Sequence, residues 1–479
     1  MSRGPSEAEL DAQVQGLPLT GYRHHHLRTL VLGVANAARA REFLGELLRR
    51  QRLDFGGRRT QMAPCVINIG FSYEGLRALG APEAALAALR EGSPAFAQGA
   101  ALRAARYLGD AGENAPERWN AVFHRQAAHA WITMHADDPQ LLDDTVTELM
   151  GLPGASDGVV GWNDPEQVPD ARHLLEPEVE AKHLPDQGKR FVHFGLRDNI
   201  TKPRIAWRYD RDPATSDPNA MEHRAGELLL GYPNDNETDL WTADGTPGHE
   251  VAEFLRNGSF GVLRQVQQYE DRLDDYLQAQ LAALAAQGHP GFTKDYLKAK
   301  MCGRWANGAR LEPHETTPPP DPDDERLRVD FGKDPYGWGC PFGSHIRRAN
   351  PQKDPLLPPV QRTVFRRSVP YGRPYPGTRD DVDRGLVGVF FCARIDDQFE
   401  LLVSEWLEKN PMGPPNAGRA KDPIAGHHDE PDAAFHIPLP GAGGIYINQL
   451  EPFIRTRGTL YALFPSRLAL ERLAAGSGA

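Results

Sequence analysis

The strongest constraint on this 479-residue chain is an order of elements that occurs twice. In the first region, Leu27 to Val34 reads as a buried strand. Asn36 then caps a helix that sets Phe43, Leu44, Leu47 and Leu48 on one face. Cys65 to Phe71 is a second strand, followed by a short helix around Tyr73 to Leu79. Ala127 to Ala136 is a third. Asp138 and Pro139 supply an N-cap and a first-turn proline for a helix through Leu142, Val146 and Leu149, and GVVGWN is a fourth strand. The second region starts with a strand from Gly258 to Gln268. A helix follows with Tyr269, Leu273, Tyr276, Leu277, Leu281 and Leu284 at helical spacing, ended by Gly288. Gly385 to Arg394 is the next strand and QFELLVSEWL its helix. FIRTRG and TLYALF predict a hairpin turning near Gly458, and Ser466 caps a last helix through Leu468, Leu470 and Leu473.

This order predicts an α+β fold. Two ferredoxin-like domains, each an antiparallel sheet with helices on one face, account for it as a duplication. The N-terminal domain is expected over residues 1–200 and the C-terminal one over 201–479. The halves share order, not residue identity. Between the second region's first helix and its second strand lies an insertion, roughly Leu311 to Arg384, with 14 of the chain's 41 prolines. Regular secondary structure cannot run through such a stretch. A loop this long in a compact domain is normally disordered or functional. Its first part, ETTPPPDPDDE, reads as a surface loop, and its centre as ordered around a site. A second Gly- and Pro-rich stretch, Asn410 to Pro440, reads as a surface excursion without assigned chemistry.

The insertion holds His345 in GCPFGSHIRRANPQ and Arg366 in VFRRSVPYG. A neutral imidazole is the usual axial ligand of a peroxidase-type haem iron. A guanidinium on the opposite face would stabilise the charge that develops as a peroxide O–O bond breaks. Upstream, FGLRDNI sets Asp198 in a tight turn, where a carboxylate could move the peroxide proton. Gly343 and Ser344 would leave room for a porphyrin, and Arg347 and Arg348 could meet its propionates. Each residue also has a plainer reading: a solvated basic turn, a locally bonded Asx-turn aspartate, a pair of surface arginines. Arg366 and Arg367 are neighbours on an extended segment, so only one of them faces a site. His24, His25 and His26 are consecutive, which scatters rather than converges their side chains. His427 and His428, beside Asp429 and Glu430, read as a polar loop.

Net charge is −11, which argues against a duplex nucleic-acid partner. Cys65, Cys302, Cys340 and Cys392 form no CxxC, so a zinc ribbon and covalent c-type haem are unsupported. No run of 18 apolar residues and no apolar leader segment occurs, so the expected location is cytoplasmic, without a membrane contact.

Together VQG, INIGFSYEGLRALG, FGLRD, AGELLLGYPND, RNGSF, GRWANG, HIRRANP, RRSVPYG, QFE and RGTLYALFPS resemble the recurrent blocks of the dye-decolourising peroxidases. The resemblance implies two ferredoxin-like halves with haem b held mainly by the C-terminal one. It implies His345 as the proximal iron ligand, Asp198 as the distal carboxylate and Arg366 as the distal arginine. RNGSF implies haem contacts from Asn257, Gly258 and Ser259, and the segment after the histidine implies contacts from Asn350 and Gln352. Glu400 in QFE is the implied acceptor of the imidazole N–H. Two positions depart from the family: Asn199 replaces the glycine of GxxDG, and Gln352 replaces the arginine of NPR. The implied activity is reduction of hydrogen peroxide to water through a ferryl intermediate, with phenolic, dye-type or other small one-electron donors. Trp207, Tyr336, Trp338 and Trp406 are candidate surface relays for electrons. A haem-delivery protein with little turnover and a specialised biosynthetic haem oxidase are the alternatives. A homo-oligomer is left open.

Overall fold

The computed structural model describes residues 5–56, 63–124, 128–162, 168–175, 189–200, 203–205, 222–236, 238, 248–356, 362–409, 420–430, 432–441 and 443–476. Its first half runs β1 (His26–Val34), α1 (Ala37–Arg49), β2 (Cys65–Phe71), β3 (Ala130–Ala136), α2 (Pro139–Met150) and β4 (Val159–Trp162). The caps are local and legible. The Asn36 side chain accepts from the Arg39 N–H, and Asp138 accepts from the Gln140 N–H with Pro139 in the first turn. β1 pairs antiparallel with both β3 and β4, and β3 pairs with β2. The order β2-β3-β1-β4 is that of a ferredoxin-like sheet.

Several short strands follow, among them β5 (Ala171–Arg172), β6 (Arg190–Val192) and β7 (Leu196–Arg197). The second half has β8 (Ser259–Gln268), α3 (Glu270–Ala286), α4 (His345–Ala349), β9 (Phe365–Arg366), β10 (Val369–Tyr371) and β11 (Gly385–Cys392). Helical segments Ile395–Glu400 and Leu402–Leu407, then β12 (Ile454–Phe464) and α5 (Arg467–Ala475), complete it. β8 lies between β12 and β11, and β11 also pairs with β9 and β10. The order of the first half is thus repeated.

The two sheets do not stay separate. Leu463 of β12 pairs with Phe71 of β2, and Tyr371 of β10 pairs with Ala171 of β5, which in turn pairs with β1. The circuit closes into one barrel, and edge strands that would otherwise offer unpaired backbone groups are joined. Two glycines permit one of these junctions. A Cβ on Gly70 would stand 2.5 Å from the Phe464 ring, and one on Gly261 2.6 Å from it. That ring meets Trp131 edge to face at 5.0 Å, so a single apolar core draws on both halves. The hairpin expected near Gly458 is absent: Ile454–Phe464 is one strand. Gln265 faces Gly458 while Val266 faces Thr456, leaving Arg457 as the extra residue of a β-bulge. A bulge and a tight turn both call for glycine, which is why the sequence pattern misleads there. Among the described residues no helix is long and apolar enough to cross a membrane.

Candidate active site

A cavity of about 1350 Å³ is bounded by Val266 and Gln268 of β8, Gly388 and Phe390 of β11, and the start of α4. His345, Asp198, Arg366, Asn350 and Gln352 all line it. His345 opens α4, which starts after Ser344. Its Nδ1 lies 2.9 Å from Oδ2 of Asp422, a fully buried carboxylate. A carboxylate only accepts, so Nδ1 carries a proton, and in the neutral ring Nε2 keeps its lone pair for the cavity. Burial acts to lower the His345 pKa, but the Asp422 charge and hydrogen bond outweigh it, and the pKa ends above its ordinary value. Asp422 moves the other way. Burial would raise its pKa, yet His345 and Arg348 hold it below the ordinary carboxylate range. Its Oδ1 also accepts from the Ile424 and Ala425 N–H groups at 2.9 and 2.8 Å.

The acceptor of the imidazole N–H is therefore Asp422, not Glu400. Glu400 is buried elsewhere, paired with Arg103 at 2.5–2.6 Å and accepting from the Tyr461 hydroxyl at 3.0 Å. Asp422 lies in the stretch that the sequence suggests is a surface excursion. The same stretch buries His427, with Nδ1 3.0 Å from Glu408 and Nε2 3.6 Å from Asp110, and His428, whose Nε2 donates to the Asp422 carbonyl.

Arg366 pairs with Asp198 across the cavity wall. Arg367 also borders the cavity, but its guanidinium donates to the carbonyls of Leu17 and Pro18. Asp198 follows β7. The Arg197 N–H donates to Ala306 O and the Asp198 N–H to Arg190 O, at 2.9 and 2.7 Å, which fixes where the carboxylate starts. Asn199 takes the left-handed conformation at φ 60° that a glycine would supply. Asparagine is among the few other residues that adopt it readily, so the departure at position 199 keeps the turn.

Asn257, Gly258 and Ser259 do not reach the cavity. Asn257 accepts from the Tyr232 hydroxyl and donates to Glu9, and the Ser259 hydroxyl donates to Leu228 O. They stand at the start of β8, while the cavity meets that strand from Arg264 onward, about 17 Å away at about 3.3 Å per residue. The RNGSF pattern serves a turn, with Asn257 at φ 66°. Gly343 faces the Phe435 ring, and Ser344 donates to Lys300 O at 2.6 Å, so neither supplies room in the cavity. Arg347 and Arg348 are fully buried scaffolding. Arg347 grips Asp354 and the carbonyl of Cys340, and Arg348 the carbonyls of Gly343, Trp406 and Ala420.

One cation that faces the cavity with a buried donor to spare is Arg304. Its Nη1 donates to Gly308 O and Leu327 O, both at 2.7 Å, while its Nη2 is buried without a partner. Burial pushes its pKa down to about 10. A carboxylate of a bound group would satisfy it. Arg304 follows Gly303, which ends helix Lys294–Cys302 in the left-handed conformation. The GRW pattern signals that helix end and nothing of the orphan donor. A lone-pair nitrogen on a carboxylate-braced imidazole, an apolar wall and an unsatisfied buried guanidinium together fit a haem with its carboxylate side chains.

Among the relay candidates, Trp406 lines the cavity. Tyr336 and Trp338 stack at 4.9 Å, with Tyr336 63% exposed. Trp207 lies outside the described residues.

Residues 25–161 match the family model of the DyP dimeric alpha+beta barrel domain. The chain is 26% identical over 419 residues to a dye-decolorizing peroxidase of Exidia glandulosa, a span of 84% of this chain and 74% of that protein. Residues 25–161 thus carry a DyP-type barrel domain. The dye-decolorizing peroxidase AauDyP1 of Auricularia auricula-judae is 25% identical to this chain over 423 residues, covering 83% and 74% of the two chains. The crystal structure of a fungal DyP-type peroxidase from that organism aligns with a TM-score of 0.75 at 19% identity, covering 99% of this chain and 100% of that one. This last likeness is one of fold.

Proposed function

We propose that this chain is a haem b peroxidase that reduces hydrogen peroxide to water with electrons from phenolic, dye-type or other small one-electron donors. One observation carries the reading: a single cavity holds an imidazole braced by a buried carboxylate and, on another wall, a carboxylate paired with a guanidinium. Bound haem would supply the redox chemistry, taking two oxidising equivalents from peroxide and returning them one at a time. His345 would hold it through Nε2, with Asp422 fixing the ring and increasing its donor strength. Arg304 would meet a carboxylate of the group.

The remaining work belongs to Asp198 and Arg366. Asp198 would take the proton from one peroxide oxygen and deliver it to the other, which leaves as water. Arg366 would hold Asp198 in place and offset the negative charge on the departing oxygen. The overall reaction, H2O2 with two donors AH giving two H2O and two A•, balances atoms and electrons. A related DyP has been crystallised with 2,6-dimethoxyphenol, which supports phenols as donors. The test is stopped-flow mixing of the haem-loaded protein with peroxide. Asp198→Asn should keep the ferric absorption spectrum and slow the peroxide reaction. Unchanged peroxide kinetics would refute the acid/base role.

A further inference from the structure

His223 is 2% exposed and reaches the cavity wall together with Thr363. Its Nδ1 lies 2.7 Å from Oδ2 of Asp235, and its Nε2 lies 2.9 Å from Oγ1 of Thr363. The carboxylate can only accept, so in the neutral ring the proton sits on Nδ1 and Nε2 accepts from the threonine hydroxyl. The hydroxyl's proton therefore points at the imidazole, and its remaining acceptor capacity is left for the cavity. Asp235 is itself fixed. Its Oδ1 accepts from the Arg224 N–H at 2.7 Å, and its own N–H donates to Glu227 at 3.1 Å. Gln398 donates to the Thr363 carbonyl and to Glu227, so the threonine is held at its backbone as well. Asp235 bonds His223 directly, and the charges of Asp235, His223 and Arg362 all act on the neighbouring buried Glu227. None of these residues takes part in the peroxide step assigned to Asp198 and Arg366.

We propose that Thr363, His223 and Asp235 form a proton-accepting relay for donors that lose a hydroxyl proton as they are oxidised, phenols in particular. This rests on the peroxidase reading above. A phenol that loses one electron also loses its O–H proton: ArOH gives ArO•, H⁺ and e⁻. The electron goes to the peroxide-oxidised enzyme. The proton passes to Thr363 Oγ1 while the threonine's own proton crosses to His223 Nε2, leaving an imidazolium against Asp235. A positioned base that takes the proton in the same step removes the cost of forming a bare phenol radical cation. His223 returns its proton before the next donor. Two donors release two protons, the number that H2O2 and two electrons consume in forming two waters.

Two kinds of readout test the relay on the haem-loaded full chain. The first is the ratio of peroxide-driven turnover with 2,6-dimethoxyphenol to that with ferrocyanide, which loses an electron and no proton. Thr363→Val and His223→Gln should each lower that ratio at least tenfold, and Thr363→Ser should restore it to within twofold of wild type. The second is equilibrium binding, without peroxide, of the phenol and of its methyl ether. Thr363→Val should weaken phenol binding several-fold and leave the ether alone, whereas His223→Gln should keep phenol affinity and lose turnover. A ratio unchanged in both variants overturns the relay while the peroxidase reading stands. A wild-type chain that oxidises neither donor overturns both.

Discussion

The two walls of the cavity are built to different standards. Behind His345 stands Asp422, which has no exposed surface and accepts three hydrogen bonds, from the imidazole and from two backbone N–H groups. Facing the same cavity, Asp198 and Arg366 keep 17% and 39% of their side chains exposed and are joined to each other. A metal ligand must stay in one place through every turnover. An acid/base group must reach two oxygens in succession, so a less confined carboxylate suits it. The contrast teaches that rigidity is spent where a bond persists and withheld where a proton moves.

The largest effect should come from the looser wall. Asp198→Asn should cut the bimolecular rate with peroxide by about 10²- to 10⁴-fold, the usual worth of a positioned proton-transfer group. Haem content should stay that of wild type. Arg366→Leu should cost less, on the order of 10²-fold, as for other donors that stabilise developing charge. Both are read by stopped flow, and a loss of haem in either variant would erase the distinction between the walls.

The tighter wall should respond in affinity. Asp422→Asn keeps the shape, but one amide oxygen cannot serve both the turn N–H groups and the imidazole. Haem affinity should fall about 10- to 100-fold, the usual cost of losing a ligand's outer hydrogen-bond partner. Competition with apomyoglobin reads this directly.

A third carboxylate sharpens the comparison, because it is buried like Asp422 but lacks a close cation. Glu270 has Arg384 no nearer than 3.8 Å, and burial pushes its pKa up to about 7 from 4.5. A raised acid pKa contributes stability that is fully present below pH 4.5 and lost as pH rises through 7. The size is about 3 kcal/mol at most, from 1.36 kcal/mol per pKa unit. Glu270→Gln should therefore gain stability relative to wild type between pH 4 and pH 8. Thermal or denaturant unfolding at the two pH values checks it, and a pH-independent difference would mean that Glu270 ionises freely.

Much of this fold was legible because its signals are local. Asn36, Asp138 and Ser466 cap the helices that their spacing predicts, and the helix over Glu270–Ala286 buries Leu273, Tyr276, Leu277 and Leu284 as its periodicity requires. Barrel closure was not legible, since it rests on single pairings, Leu463 with Phe71 and Tyr371 with Ala171, between residues with no pattern in common. The site divides in the same way. His345, Asp198 and Arg366 stand in recognisable segments and share a cavity. Asp422 is 77 residues from its imidazole, behind a Gly- and Pro-rich stretch that gives no periodicity to read. The orphan nitrogen of Arg304 exists only once Gly308 O and Leu327 O have taken the other. Residues such as Asn257 and Ser259 mislead for the converse reason: their pattern is demanded by a turn and a strand start, far from the cavity.

The account depends most on His345 as the point of attachment for haem. The direct measurement is the absorption spectrum and haem stoichiometry of the full chain and its His345→Ala variant, both loaded with haem b and desalted. The account predicts one haem per wild-type chain with a Soret band of an imidazole-ligated ferric haem, and a variant that loses most of its haem on desalting. A variant that keeps one haem with an unaltered spectrum and full reactivity toward peroxide would contradict it.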